Sequence, residues 1–174
     1  MPQTMTEKNL CRAFIGLGGN LDEPLARFLE ARQWLDAHLR ISVIASSPLY
    51  QTAPVGGPTG QNDYLNAVLE LATSLSPTEL LQYCLELEQR GGRQRGVRWG
   101  ARTLDIDLLL VDDLICSTPQ LTLPHPRLHR RSFVLQPLCD LVPDLQHPVS
   151  GRTLAELLKS LPTEAGNTQL QGTW

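Results

Sequence analysis

The chain has 174 residues, of which 41 % are hydrophobic and 19 % charged, and a formal net charge of −3. That length suits one domain around one buried core, and the composition excludes an intrinsically disordered chain. The slightly negative charge excludes a general attraction to nucleic acid or to an anionic membrane, so an anion site has to come from local clustering.

The first ten residues are polar and lack an apolar h-region, and no later apolar run approaches the roughly 18 residues of a membrane span; a cytoplasmic protein is expected. Residues 1–11 are expected to be a flexible N-terminus, 12–161 a single domain and 162–174 a flexible tail. Cys11, Cys84, Cys116 and Cys139 are scattered, with no C-x-x-C pair and no His at zinc-finger spacing, and read as buried reduced thiols.

The apolar run 13–17, closed by Gly18-Gly19-Asn20, predicts a buried strand leading into a tight turn. Pro24 starts a helix whose apolar stripe is Leu25, Phe28, Ala31, Leu35 and Leu39. A second strand is expected over 41–52, a loop over 53–62 with its prolines and glycines, and a strand from Tyr64 to Leu71. Ser76-Pro77-Thr78-Glu79 is a capping box opening a helix that should stop at Gly91-Gly92. After an arginine-rich loop, 104–111 is a further strand. The order β-α-β-β-α-β is the ferredoxin-like one, so the expected class is α+β with a C-terminal extension of short strands and helices. One or two short strands are expected within 115–123, and 133–141 does not declare its type. Thr153-Leu154-Ala155-Glu156 is a second capping box, opening a helix that ends before Pro162.

Alternation along a strand puts Asp105 and Asp107 on one side of the sheet, about 7 Å apart, where one magnesium ion could bridge them and take its remaining ligands from water and substrate phosphates. A solvent-facing polar stripe is the alternative. Upstream, Arg90, Arg93, Arg95, Arg98 and Arg102 crowd into a short glycine-containing segment. Guanidinium groups bind phosphate oxygens bidentately and keep their charge, so such a loop suits a polyphosphate; a solvated basic loop or a nucleic-acid contact would share the pattern. Gly16, Gly18 and Gly19 match neither G-x-G-x-x-G nor G-x-x-x-x-G-K-[ST], which excludes a P-loop. Tyr64 and Phe133 could sandwich a flat heterocycle while Asn66 pairs with its edge, although Phe133 also suits core packing. His125 lies between two prolines and could donate to a phosphate.

The segment Arg98-Trp99-Gly100-Ala101-Arg102-Thr103-Leu104-Asp105-Ile106-Asp107 resembles the signature R-W-G-x-R-T-L-D-[LI]-D of the 6-hydroxymethyl-7,8-dihydropterin pyrophosphokinase family of folate biosynthesis. Gly16-Leu17-Gly18-Gly19-Asn20-Leu21, Tyr50-Gln51-Thr52-Ala53-Pro54, Asp63-Tyr64-Leu65-Asn66 and Leu123-Pro124-His125-Pro126 agree with it. The resemblance runs over 13–158. It implies that Asp105 and Asp107 hold Mg2+ between protein and ATP, and that Arg93, Arg95, Arg98, Trp99 and Arg102 belong to a loop closing over ATP. It further implies that Arg102, His125 and Arg131 touch phosphate and that Glu88 lies on the ATP side. Asn66 would pair with the pterin, Tyr64 and Phe133 would stack on it, and backbone near Thr52 and Val55 would complete the pocket. Leu85 departs from the family, standing where many members carry a polar residue.

The implied reaction is attack of the pterin hydroxyl on the β-phosphorus of ATP, with AMP leaving and Asp107 a candidate base. ATP and a pterin alcohol are the expected partners, with a monomer as the default. A nucleic-acid-binding ferredoxin-like domain is the competing class; an acidic chain with only 5 % aromatic residues lacks the stacking platforms it would need.

Overall fold

Strand-forming apolar stretches and α-helices follow one another along the computed structural model, which describes residues 10–54, 56–92, 102–162 and 167–174. In chain order the elements are β1 (Cys11–Gly19), α1 (Pro24–Asp36), β2 (Ile41–Ser46), β3 (Tyr50–Thr52), β4 (Tyr64–Thr73), α2 (Pro77–Arg90) and β5 (Asp105–Val111). There follow β6 (Cys116–Ser117), β7 (Thr122–Leu123), a 3-10 turn (Leu128–Arg130), α3 (Ser132–Leu141), α4 (Leu154–Lys159) and β8 (Thr168–Gln169). β1 pairs with β4 on one side and β5 on the other; β4 carries β2 and β3 on its far edge, and β8 adds to β3. Every one of these pairings is antiparallel, and β6 and β7 form a separate two-stranded ribbon.

The period of two in the central strands sorts their side chains into two cores. Ala13, Ile15 and Leu17 share one face with Leu69, Leu71, Ile106 and Leu108, and there α1 lays down Phe28, Ala31 and Leu35 while α2 lays down Leu80, Cys84 and Leu87. On the opposite face Phe14, Val68 and Leu109 meet Val134, Leu135 and Leu138 of α3 and Leu154 and Leu157 of α4. Each fully buried Leu or Phe contributes about 1.5–3 kcal/mol. Both capping boxes form: Ser76 Oγ accepts from Glu79 N and the Glu79 carboxylate accepts from Ser76 N, with Thr153 and Glu156 repeating the pattern.

Several boundaries differ from the sequence reading for identifiable reasons. The strand expected over 41–52 is two strands, because Pro48 lacks an N–H for the ladder; at the break Ser47 N donates to Val68 O, and Ser47 Oγ accepts the Val68 N–H at 2.8 Å. Gly16, Gly18 and Gly19 are not a tight turn but the last part of β1 itself. α1 stops at Asp36, leaving Leu39 fully exposed and the buried stripe reduced to Phe28, Ala31 and Leu35. Residues 133–141 fall in α3, which contains Pro137. Towards the end of the chain, β8 pairs with β3, Trp174 packs on Phe28 with ring centroids 5.7 Å apart, and its indole N–H donates to Ser47 O.

Candidate active site

The ladder register builds the floor of the site. Asp105 lies directly opposite Gly18 and Asp107 opposite Gly16, while on the other side of β1 those glycines face Asn66 and Val68. Directly opposed residues share a face, so both carboxylates stand on the face that α3 and α4 only partly cover. A cavity of about 170 Å³ opens there. Asp105, Asp107 and Arg102 line one side of it, Thr52, Tyr64 and Asn66 the other, and Arg131, Phe133 and Val134 close it from above. The glycines keep it open: a Cβ on Gly18 would come within 3.5 Å of Asn66 Oδ1, and one on Gly16 would reach the Leu109 side chain at 3.5 Å.

Arg102 is held by both its ends. Its guanidinium donates to Asp105 Oδ1 at 2.7 Å. Burial works to lower its pKa, but Asp105, with Tyr64 and Asp107 adding to it, leaves it raised. Its backbone N–H donates to Asn20 Oδ1 at 2.9 Å, and its carbonyl accepts the N–H groups of Asn20 and Leu21. Gly19 makes that approach possible, since a Cβ there would stand 2.7 Å from the Thr103 carbonyl oxygen. Asn20 is 3 % exposed and also donates to the Asn62 carbonyl at 3.0 Å, tying the end of β1 and the loop before β4 to the same point. The sequence reading assigns Asn20 no site role although it belongs to the motif over 16–21; a buried amide just beyond a glycine pair at a strand end is the signal that marks it.

On the other side of the floor, Asn66 Nδ2 donates to Thr52 Oγ1 at 2.7 Å, which gives one N–H of the buried amide a partner and leaves the Thr52 hydroxyl proton available as a donor. Burial raises the pKa of the Tyr64 phenol, with Arg102 opposing and Asp105 adding. The Arg131 guanidinium lies 5.6 Å from the Phe133 ring centroid. Burial lowers the pKa of Arg131 while Asp107 works against it; a guanidinium stays charged all the same. Two cations therefore flank two carboxylates around one opening.

The remaining sequence candidates fall elsewhere. His125 is not among the lining residues; its Nδ1 accepts the Arg127 N–H at 3.2 Å, which puts the neutral ring's proton on Nε2. Burial, then the positive charges of Arg131 and Arg127, push its pKa down to about 4, so it is uncharged at pH 7. Glu88, 2 % exposed on α2, does not line the cavity either: its carboxylate accepts the Ile106 N–H at 2.7 Å, bracing β5 between the two aspartates. Val55, Arg93, Arg95, Arg98 and Trp99 lie outside the described residues.

Among the described residues no group of three His, Cys, Asp or Glu side chains gathers as a metal centre. The donor set on offer is thus the pair of carboxylates Asp105 and Asp107, both hard oxygen ligands. It does not suit a closed zinc site or a calcium cage, and it does suit an ion that keeps most of its coordination for water and substrate. No helix among the described residues is long and apolar enough to cross a membrane, and all four cysteines are free thiols, Cys84 and Cys139 buried as expected but Cys11 and Cys116 only partly so, since each lies in a strand near its end rather than in a core.

The chain is similar to known proteins over most of its length. The family model described as 7,8-dihydro-6-hydroxymethylpterin-pyrophosphokinase matches residues 14–143. A 2-amino-4-hydroxy-6-hydroxymethyldihydropteridine pyrophosphokinase from Pseudomonas aeruginosa is 43 % identical over 156 residues, covering 88 % of this chain and 93 % of its own. The protein of the same name from Synechocystis is 40 % identical over 153 residues, covering 88 % and 77 %. A crystal structure of Plasmodium falciparum HPPK-DHPS, wild type with pteroate, superposes with a TM-score of 0.66 and covers 87 % of this chain. It is 16 % identical, so the likeness is one of fold, and this chain spans 42 % of that longer one. The chain belongs to the 7,8-dihydro-6-hydroxymethylpterin-pyrophosphokinase family, and it is an ATP-dependent diphosphotransferase of folate biosynthesis.

Proposed function

We propose that the cavity between Asp105 and Asn66 is where the pyrophosphoryl group of ATP passes to 6-hydroxymethyl-7,8-dihydropterin. The observation that carries this reading is the row Asp105–Gly18–Asn66, a carboxylate and an edge-pairing amide separated only by glycine, with Asp107 opposite Gly16 adding a second carboxylate to the same face. Asn66 and the Thr52 hydroxyl pair with the polar edge of the pterin, and Tyr64 and Phe133 take its two faces. Backbone near Val55 completes that pocket. The hydroxymethyl group then points toward the aspartates.

Asp105 and Asp107 hold Mg2+, which supplies neutralisation of the ATP phosphates as charge spreads over their oxygens. Arg102 and Arg131 bind the polyphosphate from the two sides. His125, as the Nε2–H tautomer, donates to a phosphate oxygen without adding charge. The loop bearing Arg93, Arg95, Arg98 and Trp99 closes over the nucleotide, and Glu88 serves the ATP side from beneath by fixing the Ile106 backbone. The pterin oxygen attacks the β-phosphorus in line, the bond from the bridging oxygen to that phosphorus breaks, and AMP leaves with the oxygen; Asp107 accepts the hydroxyl proton.

The fold reading goes with the site. The core is ferredoxin-like: taking β2 and β3 together as one strand, the path β5-β1-β4-β3 gives the order fourth, first, third, second with every pairing antiparallel, and that supports it. Residues 12–161 act as one domain on which β8 and Trp174 dock, the protein works as a cytoplasmic monomer, and its partners are ATP and the pterin alcohol, with no nucleic acid.

The test is AMP release from ATP, measured with and without 6-hydroxymethyl-7,8-dihydropterin and with Mg2+ present or chelated. Production of AMP that needs both pterin and metal is expected. AMP formed equally without the pterin would overturn the assignment.

A further inference from the structure

The aromatic roof of the pterin pocket hangs from α3, and something has to fix its height above the sheet. Packing of Val134, Leu135 and Leu138 attaches the helix, but no side chain caps its N-terminus and Pro137 removes one N–H from its ladder. A polar connection exists at the other end. Tyr50 lies directly opposite Asn66 in the β3–β4 ladder and two residues from Thr52, so its ring stands on the face that carries both. It is 4 % exposed, and its hydroxyl donates to the Asp140 carboxylate on the last turns of α3. Gln136 Nε2 donates to the other oxygen of that carboxylate at 3.2 Å, which holds it in place.

Helix geometry makes the connection relevant to Phe133. Phe133 and Asp140 are seven residues apart, which puts them on one face of α3 about two turns and about 10 Å apart. One hydrogen bond therefore joins the strand that carries Thr52 and neighbours Asn66 to the helix face that carries Phe133. Neither Tyr50 nor Asp140 lines the cavity. Burial, reinforced by Asp140, pushes the Tyr50 phenol above its ordinary pKa, so it remains a donor across the working pH range.

We propose that Tyr50 and Asp140 are positioning residues for the pterin: their bond sets the gap between the Phe133 ring and the Asn66–Thr52 edge, and so governs affinity for the flat substrate without touching it. The proposal rests on the assignment of this half of the cavity to the pterin.

Binding of 6-hydroxymethylpterin to the full chain tests it, for Tyr50→Phe, Asp140→Ala, the double variant and Asp140→Asn, with Phe133→Ala as the control. Binding of a non-hydrolysable ATP analogue and the thermal midpoint are followed in parallel. Tyr50→Phe and Asp140→Ala should each weaken pterin binding about five-fold, the scale of one hydrogen bond, and the double variant should be no worse than either. Asp140→Asn keeps a carbonyl acceptor and should bind like the parent, and the ATP analogue should be bound unchanged by all. If Phe133→Ala loses the pterin while Tyr50→Phe and Asp140→Ala stay within about two-fold of the parent, the proposal is overturned and the pocket assignment stands. Losses that multiply in the double variant, or that strike pterin and ATP analogue alike, overturn it too. Undiminished pterin binding by Phe133→Ala would sink the pocket assignment and the proposal together.

Discussion

Asn20 and Arg102 clasp each other in both directions: Asn20 Oδ1 accepts the Arg102 N–H, and the Arg102 carbonyl accepts the Asn20 N–H, both at 2.9 Å. The side chain that pairs with Asp105 is thereby anchored to the end of the central strand. Asn20→Ala removes the acceptor for the Arg102 N–H in a buried place and should cost about 1–3 kcal/mol. Thermal melts should show that loss, and turnover measured well below the melting range should also fall. Full turnover in a variant so destabilised would deny Asn20 any part in placing Arg102.

Two neighbouring glycines should respond to alanine in opposite ways. At Gly19 the new methyl would sit 2.7 Å from the Thr103 carbonyl, a backbone atom that cannot step aside, and Gly19→Ala should destabilise the fold by about 1–3 kcal/mol. At Gly18 the nearest atom is Asn66 Oδ1 at ordinary contact distance, so Gly18→Ala should melt near the parent temperature while raising KM for the pterin. Melting curves and steady-state kinetics on the pair separate backbone crowding from loss of cavity space.

Asp105→Ala and Asp107→Ala should fold normally, because both side chains stand at a cavity rather than in either core. Each should lower the rate of AMP formation by at least about a hundred-fold and shift the Mg2+ requirement upward. Near-parental rates in both would remove the metal role. Asp105→Ala also takes away the ion-pair partner of Arg102, so its loss of rate should not be the same as that of Asp107→Ala.

Acid should weaken the protein partly through His125. Its folded pKa, about 4, lies below the ordinary 6.5, so between those values the unfolded chain binds more protons than the folded one and stability falls as pH drops. His147, whose pKa is lowered by burial and then by His129, acts with the same sign. The melting temperature should decline between about pH 6.5 and pH 4, and less steeply in His125→Gln. An unchanged slope in that variant would mean that His125 is not held neutral by the fold.

How far the sequence speaks can be followed residue by residue. Hydrophobic period and capping chemistry are local, and they placed α2, α4, β1 and β5 within a few positions. α3 was not legible, because Phe133-Val134-Leu135 gives one short apolar run and Pro137 argues against a helix that tertiary packing nevertheless completes. The tail looked too polar to bury anything; its pairing with β3 and the docking of Trp174 depend on contacts more than a hundred residues away, which no local pattern encodes. Within the site, Thr52, Tyr64, Asn66, Arg102, Asp105, Asp107, Arg131 and Phe133 share one cavity, whereas the room that Gly16 and Gly18 leave there follows only from the strand register. Glycine at alternate positions of an apolar strand was the available hint.

β3 is three residues long and would be the outer border of the sheet if β8 did not lie against it, with Leu170 N continuing the contact to Leu49 O. An unpaired border of this kind offers its peptide groups to any extended segment that passes, including one from another copy. By laying its own tail along that border the protein closes a seam through which molecules could otherwise stitch together, and substitutions that loosen Trp174 should show first as a tendency to associate on concentration.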